Sequence, residues 1–111
     1  MILKTIKNPS IQPYENKIIC PELTFIGVKE QPDFGELEII YYPNKLLIEL
    51  KSLKQYLHSF RNKLMSYESF VNIIYDDIVT TYHPNRLILS MTLKPRGGIS
   101  SVLKIDSNWR K

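Results

Sequence analysis

Five basic side chains crowd one short stretch of this chain: Lys51, Lys54, His58, Arg61 and Lys63, following directly on Glu49. On an exposed helical face such cations could hold the phosphates of a small molecule, or they could be a solvated face and nothing more. Glu68 stands two residues after Ser66, where a carboxylate in a first helical turn suits the helix dipole. Asp33 lies in Pro32-Asp33, a pair that turn chemistry explains by itself. Arg96-Gly97 joins a forked cation to a residue that lets a ligand approach the backbone, and Gly97-Gly98 also suits a tight hairpin turn. Cys20 is the only thiol, which excludes an intrachain disulfide and a cysteine-based zinc site. His58 and His83 match no common ligand spacing, so no metal is expected. Neither G-x-G-x-x-G nor a P-loop occurs.

The elements that must position these groups can be read from periodicity. Leu50, Leu53, Leu57, Phe60 and Leu64 step by 3, 4, 3 and 4, which predicts an amphipathic helix over Glu49–Asn62 with the cations on its other face. A second helix begins at the N-cap Ser66, carries Phe70, Ile73, Ile74, Asp77, Ile78 and Thr81, and is closed by His83-Pro84-Asn85. Before the helices, strands are expected at Lys17–Lys29, interrupted near Cys20-Pro21, and at Phe34–Tyr42, with Leu37, Ile39 and Tyr41 on one face. After them come Arg86–Leu93, with Leu87, Leu89, Met91 and Leu93 alternating, and Ile99–Ile105 beyond the hairpin Lys94–Gly98. Residues 1–16 read as an N-terminal arm with little regular structure, and residues 17–111 as a single domain. The order ββααββ describes an α+β domain: a four-stranded antiparallel sheet with two helices on one face. Its free sheet edges invite self-association.

With 111 residues, 43% hydrophobic and 23% charged, the chain is long enough for one modest core. Its net charge of +4 is spread among both signs, so direct nucleic-acid binding is not demanded. No run approaches the ~20 apolar residues of a membrane span, and a cytoplasmic protein is expected.

Three segments, taken in order, resemble the NADPH-dependent nitrile reductase family that converts 7-cyano-7-deazaguanine to 7-aminomethyl-7-deazaguanine in queuosine biosynthesis. They are Cys20-Pro21-Glu22-Leu23-Thr24 with Gln31-Pro32-Asp33-Phe34; Glu49-Leu50-Lys51-Ser52-Leu53-Lys54-Gln55-Tyr56-Leu57 with Ser59-Phe60-Arg61-Asn62; and Pro95-Arg96-Gly97-Gly98-Ile99. The likeness spans roughly residues 17–105. It implies the tunnelling fold, in which ββααββ subunits join into barrels with active sites at subunit interfaces. It also implies an oxidoreductase acting in tRNA modification, with a deazapurine as small-molecule substrate and NADPH as cofactor.

By this resemblance Glu68 anchors the purine-like ring, with Tyr67 beside it where histidine is frequent, and Ile48, Glu49 and Leu50 form the opposite wall. Leu50, Lys51, Lys54, Arg96 and Gly97 would bind the cofactor, and Asp33 would be the proton donor. One part is missing. The family's nucleophilic cysteine precedes this aspartate, and the matching position here is Ile26, or Gly27 if one deletion is allowed. Cys20 aligns with an upstream, non-catalytic cysteine and is at best a weak substitute. The alternative is a non-catalytic family member that binds a deazapurine or pterin. The related amidinotransferase branch, which keeps the cysteine and lacks the cofactor segment, ranks last.

Overall fold

The computed structural model describes residues 2–27 and 32–109, without the side chains of Pro32, Asp33, Pro95 and Arg96. Eight elements follow one another: β1 (Thr5–Lys7), β2 (Asn16–Ile26), β3 (Pro32–Tyr42), β4 (Leu46–Ile48), α1 (Leu50–His58), α2 (Tyr67–Tyr82), β5 (Arg86–Arg96) and β6 (Ile99–Asp106). The main sheet is antiparallel throughout in the order β2-β3-β5-β6. Alternation in β3 and β5 puts Leu37, Ile39, Tyr41, Leu87, Leu89 and Met91 fully out of solvent on one face. There they meet Leu53, Tyr56 and Leu57 of α1 and Phe70, Val71, Ile74, Ile78 and Tyr82 of α2. The expected α+β architecture, with both helices on one side of a ββααββ sheet, is therefore the observed one.

Several details depart from the sequence expectation. The leading residues are not irregular throughout, because β1 pairs antiparallel with β4 and Leu3 joins the core. α1 ends at His58 and not Asn62: Ser59, Phe60 and Arg61 donate to carbonyls three residues back, and these tighter turns unwind the helix. Leu50 and Leu64, at the two ends of the apolar stripe, accordingly stay largely exposed, as does Ile73 in α2, while Val71 is buried.

β2 breaks register between Cys20 and Leu23, a bulge at the Cys20-Pro21 interruption. β3 begins at Pro32, two residues earlier than expected. Gly35 beside it is required by the sheet, since a Cβ there would lie 2.7 Å from the Thr92 carbonyl oxygen. Gly97 and Gly98 make the β5–β6 turn with φ of 61° and 81°, the region glycine tolerates best. α2 is capped at its start by the Ser66 hydroxyl, which accepts from the Ser69 N–H, and stops at His83 in a left-handed conformation.

Candidate functional site

The residues singled out by chemistry collect at two ends of the molecule. At the turn end, β2 finishes where β3 begins, and Asp33 occupies the register position opposite Phe25. Ile26 is held by its backbone: its N–H donates to the Lys63 carbonyl at 3.0 Å, and its carbonyl accepts from Met65 N–H at 2.9 Å. The chain leaving α1 is thereby fastened against β2, and α2 starts immediately beyond. Tyr67 stands edge-on to Phe25 with ring centroids 5.8 Å apart, and Phe25 in turn packs on Phe70. Glu68 is exposed, and among the described residues its carboxylate has no hydrogen-bond or ion-pair partner; its backbone carbonyl accepts from Asn72. Gly97 belongs to this end as well, because Gly35 pairs with Leu93 shortly before the β5–β6 turn. The side chains of Asp33 and Arg96, both expected to act here, lie outside the described residues.

At the other end α1 enters. Glu49 is its N-cap, and both carboxylate oxygens are used: Oε2 accepts from Lys51 N–H at 2.6 Å and Oε1 from Ser52 N–H at 3.0 Å. The buried Ser52 hydroxyl donates to the Glu49 carbonyl and accepts from Lys4 N–H at 2.9 Å. The Lys4 carbonyl accepts from Glu49 N–H at 3.3 Å and from the Tyr82 hydroxyl at 2.7 Å. Ile48 N–H donates to the Tyr41 hydroxyl at 3.1 Å. Burial pushes Tyr82 up to about 12 and raises Tyr41, so both stay protonated and serve as fixed donors or acceptors. Lys51 and Leu50 project outward from this braced entrance.

Between the ends, a cavity of about 370 Å³ opens between α1 and the bulged part of β2. Lys54 and His58 line it together with Cys20. Burial raises the Cys20 thiol, which disfavours the thiolate. Cys20 pairs with Leu37, four residues along β3 from Asp33, so strand geometry separates the two by roughly 13 Å. Among the described residues no group of three or more His, Cys, Asp or Glu could hold a metal ion, and no helix is long and apolar enough to cross a membrane.

The spacing of the two ends follows from α2. Tyr82 and Glu49 share the Lys4 carbonyl, whereas Glu68 lies at the start of the same helix, about 21 Å away at 1.5 Å per residue. Glu68 and the Ile48–Leu50 wall therefore cannot touch one purine-sized ligand within a single chain. Sequence reasoning missed the hydroxyls of Tyr41, Tyr82 and Ser52 that fix the wall, and the groove residues Ile18, Ile19 and Pro21. The strand alternation marks Tyr41 as inward-facing, but no local pattern shows which backbone group its hydroxyl meets.

Comparison with known proteins agrees with this architecture. The sequence profile of a family described as "QueF-like protein" matches residues 32–111. The NADPH-dependent 7-cyano-7-deazaguanine reductase of Rhodopirellula baltica is 40% identical over 103 residues, covering 89% of this chain and 84% of that protein. The protein of the same name from Prochlorococcus marinus is 44% identical over 102 residues, covering 88% of this chain and 73% of that one. The fold matches that of an archaeosine synthase QueF-Like crystal structure in the apo form with a TM-score of 0.76 over 92% of this chain and 99% of that one, at 13% identity. At that identity the likeness concerns the fold alone; the profile and the relatives decide the rest. The chain belongs to the QueF-like family.

Proposed function

We propose that this chain is an NADPH-dependent oxidoreductase that reduces the nitrile of 7-cyano-7-deazaguanine to an aminomethyl group. The observation that carries this reading is the exposed carboxylate of Glu68, without a partner among the described residues, at the head of α2 and beside the start of β3. A carboxylate there can accept two parallel hydrogen bonds, from the N1–H and the exocyclic amine of a guanine-type ring. Tyr67, already set edge-on to Phe25, flanks that ring. Converting C≡N to CH₂–NH₂ takes two hydrides and two protons, so two cofactor molecules are oxidised per amine formed. NADPH supplies the hydrides when bound, and Asp33 is the group assigned to hand protons to the nitrile nitrogen.

The residues present suit such a cofactor. Lys51 and Lys54 are exposed and have no carboxylate partner among the described residues, and Gly97 adopts a backbone conformation that leaves its surface open. Leu50, Lys51, Lys54, Arg96 and Gly97 would hold it. Because Glu68 and the Ile48–Leu50 wall lie toward opposite ends of α2, which runs about 21 Å from Glu68 to Tyr82, a neighbouring copy is the natural source of that wall. The working form is then a homo-oligomer with sites between subunits, acting in the cytoplasm on a small molecule.

A second reading has its own observation. At the position expected for a nucleophile stands Ile26 or Gly27; neither has a nucleophilic side chain, and Ile26 is pinned to Lys63 and Met65. Cys20 is roughly 13 Å from the Asp33 register position and has a raised thiol pKa. A chain of this kind could bind the deazapurine, or a pterin, without turning it over. One assay separates the two. Purified protein, 7-cyano-7-deazaguanine and NADPH should lose absorbance at the nicotinamide band in a 2:1 ratio to amine product detected by mass. A thermal shift on adding the deazapurine with no NADPH consumption would overturn the reductase and establish the binder.

A further inference from the structure

Among the described residues β4 has a single strand neighbour, and that neighbour is β1. The two form a small sheet of their own, outside the four-stranded one, and a two-stranded sheet is marginal by itself. β4 ends in Ile48, the first residue of the wall, and runs directly into the cap Glu49 and α1. Placement of the wall thus depends on a strand of three residues. β1 has little buried surface with which to hold its place. Thr5, Ile6 and Lys7 are all exposed, and of its flanking residues Leu3 reaches the core.

The anchorage of β1 is polar, and it is made at both ends. At one end the peptide groups of Lys4 join two other elements. The Lys4 N–H donates to the Ser52 hydroxyl in the first turn of α1 at 2.9 Å. The Lys4 carbonyl accepts from Glu49 N–H at 3.3 Å and from the hydroxyl of Tyr82, the last residue of α2, at 2.7 Å, so both lone pairs are used. At the other end Asn8 N–H donates to the Lys45 carbonyl and Asn8 Nδ2 to the Asn44 carbonyl, each at 2.9 Å. If β1 left, Glu49 N–H and the buried Tyr82 hydroxyl would lose this acceptor, and β4 would lose its ladder. The ladders of the main sheet would stay, because none of them includes β1.

We infer that β1 is a strap, fastened through Ser52 and Tyr82, whose docking sets the Ile48–Leu50 wall and with it the affinity for the ligand. This rests on the substrate reading above and deepens it: Ser52 and Tyr82 become positioning residues that act through the backbone of Lys4. A chain with β1 docked presents the wall, and a chain with β1 loose does not. The apparent Kd is then the intrinsic value divided by the docked fraction. By the same linkage the ligand draws the strap down and slows exchange of its amides.

Calorimetric titration of the full chain with 7-cyano-7-deazaguanine tests this without any need for turnover. Lys4→Pro deletes the N–H given to Ser52 from an exposed position and should raise Kd about fivefold or more. Lys4→Ala keeps both peptide groups and should leave Kd unchanged. Tyr82→Phe removes only the bond to the Lys4 carbonyl and should raise Kd about threefold. Ser107→Ala takes the acceptor from Leu87 N–H, far from the strap in the main sheet, so it should lower stability and leave Kd unchanged. In wild type, ligand at ten times Kd should slow amide exchange in residues 3–8 about tenfold. Circular dichroism establishes that each variant is folded; Lys4→Pro alters no buried side chain and carries the test if Tyr82→Phe does not fold. Binding by wild type with unchanged Kd in Lys4→Pro, or with exchange in residues 3–8 unaffected by ligand, would overturn the strap and leave the substrate reading standing. An equal rise of Kd in Lys4→Ala or Ser107→Ala would also overturn it, by showing a general loss of stability. Absence of binding by wild type would overturn the two together.

Discussion

The two ends of this molecule use polar side chains in opposite ways. At the entrance of α1 they are committed to folding: Glu49 caps the helix with both oxygens, and the hydroxyls of Ser52, Tyr41 and Tyr82 bond backbone groups of Lys4, Ile48 and Glu49. At the turn end the packing is done by rings, with Phe70 meeting Phe25 edge-on and Phe60 at a tilt, and among the described residues Glu68 is left without a partner. A carboxylate that caps its own helix is poorly placed to grip a ligand, because the ligand would have to displace two N–H bonds. A carboxylate that the fold does not use can be given to a substrate. The family resemblance implies that both Glu49 and Glu68 meet substrate; in the structure Glu49 is consumed by capping α1, which leaves Glu68 as the carboxylate free for the proposed anchoring role.

The sharpest break of this comparison is structural. Phe70→Ala removes the ring on which both Phe25 and Phe60 pack and should destabilise the chain by about 3–5 kcal/mol, read from denaturant unfolding. Next in size, Glu68→Gln should reduce kcat/KM for the deazapurine roughly a hundredfold, about 3 kcal/mol, by losing the charge that accepts two donors. Its stability should change by less than about 1 kcal/mol, the size of a first-turn dipole effect. An equal loss of stability and activity would mean that Glu68 is structural after all.

At the opposite end the signs should reverse. Ser52→Ala orphans Lys4 N–H and should cost about 1–3 kcal/mol of stability, accompanied by faster amide exchange in residues 3–8. The smallest effect is set by pH. Arg86 grips Asp106 with two N–H bonds, of 3.2 and 2.8 Å, at this same end of the sheet, and holds its carboxyl below the usual value of 3.8. A depressed carboxyl stabilises the fold above the unfolded value and loses that contribution as pH falls through the folded one. The difference in Tm between wild type and Asp106→Asn should thus be constant near neutrality and close below pH 3.8.

Much of this was legible in the residues. Alternation in β3 and β5 and the 3.6-residue rhythm of α1 and α2 are local consequences of backbone geometry, and the buried sets Leu37–Ile39–Tyr41, Leu87–Leu89–Met91 and Leu53–Leu57 follow directly. The Ser66 cap was readable because its bond to Ser69 N–H spans three residues. Cys20-Pro21 showed as an interruption because proline cannot sustain a ladder, although the groove beside it takes shape only with α1 laid alongside. The β1–β4 pair was not readable: a strand of three residues is too short for a period, and its stability comes from Lys4 meeting Ser52, Glu49 and Tyr82.

By itself, then, the sequence determined the element order, the core faces and the family resemblance, all of which depend on residue type at fixed spacing. Only the tertiary structure decided that Glu68 and the Ile48–Leu50 wall stand at opposite ends of α2. Contacts between distant segments settle whether a polar side chain is consumed by folding or left for chemistry, and no spacing along the chain records that. For the same reason Cys20, near Asp33 in sequence, is distant from it in the sheet.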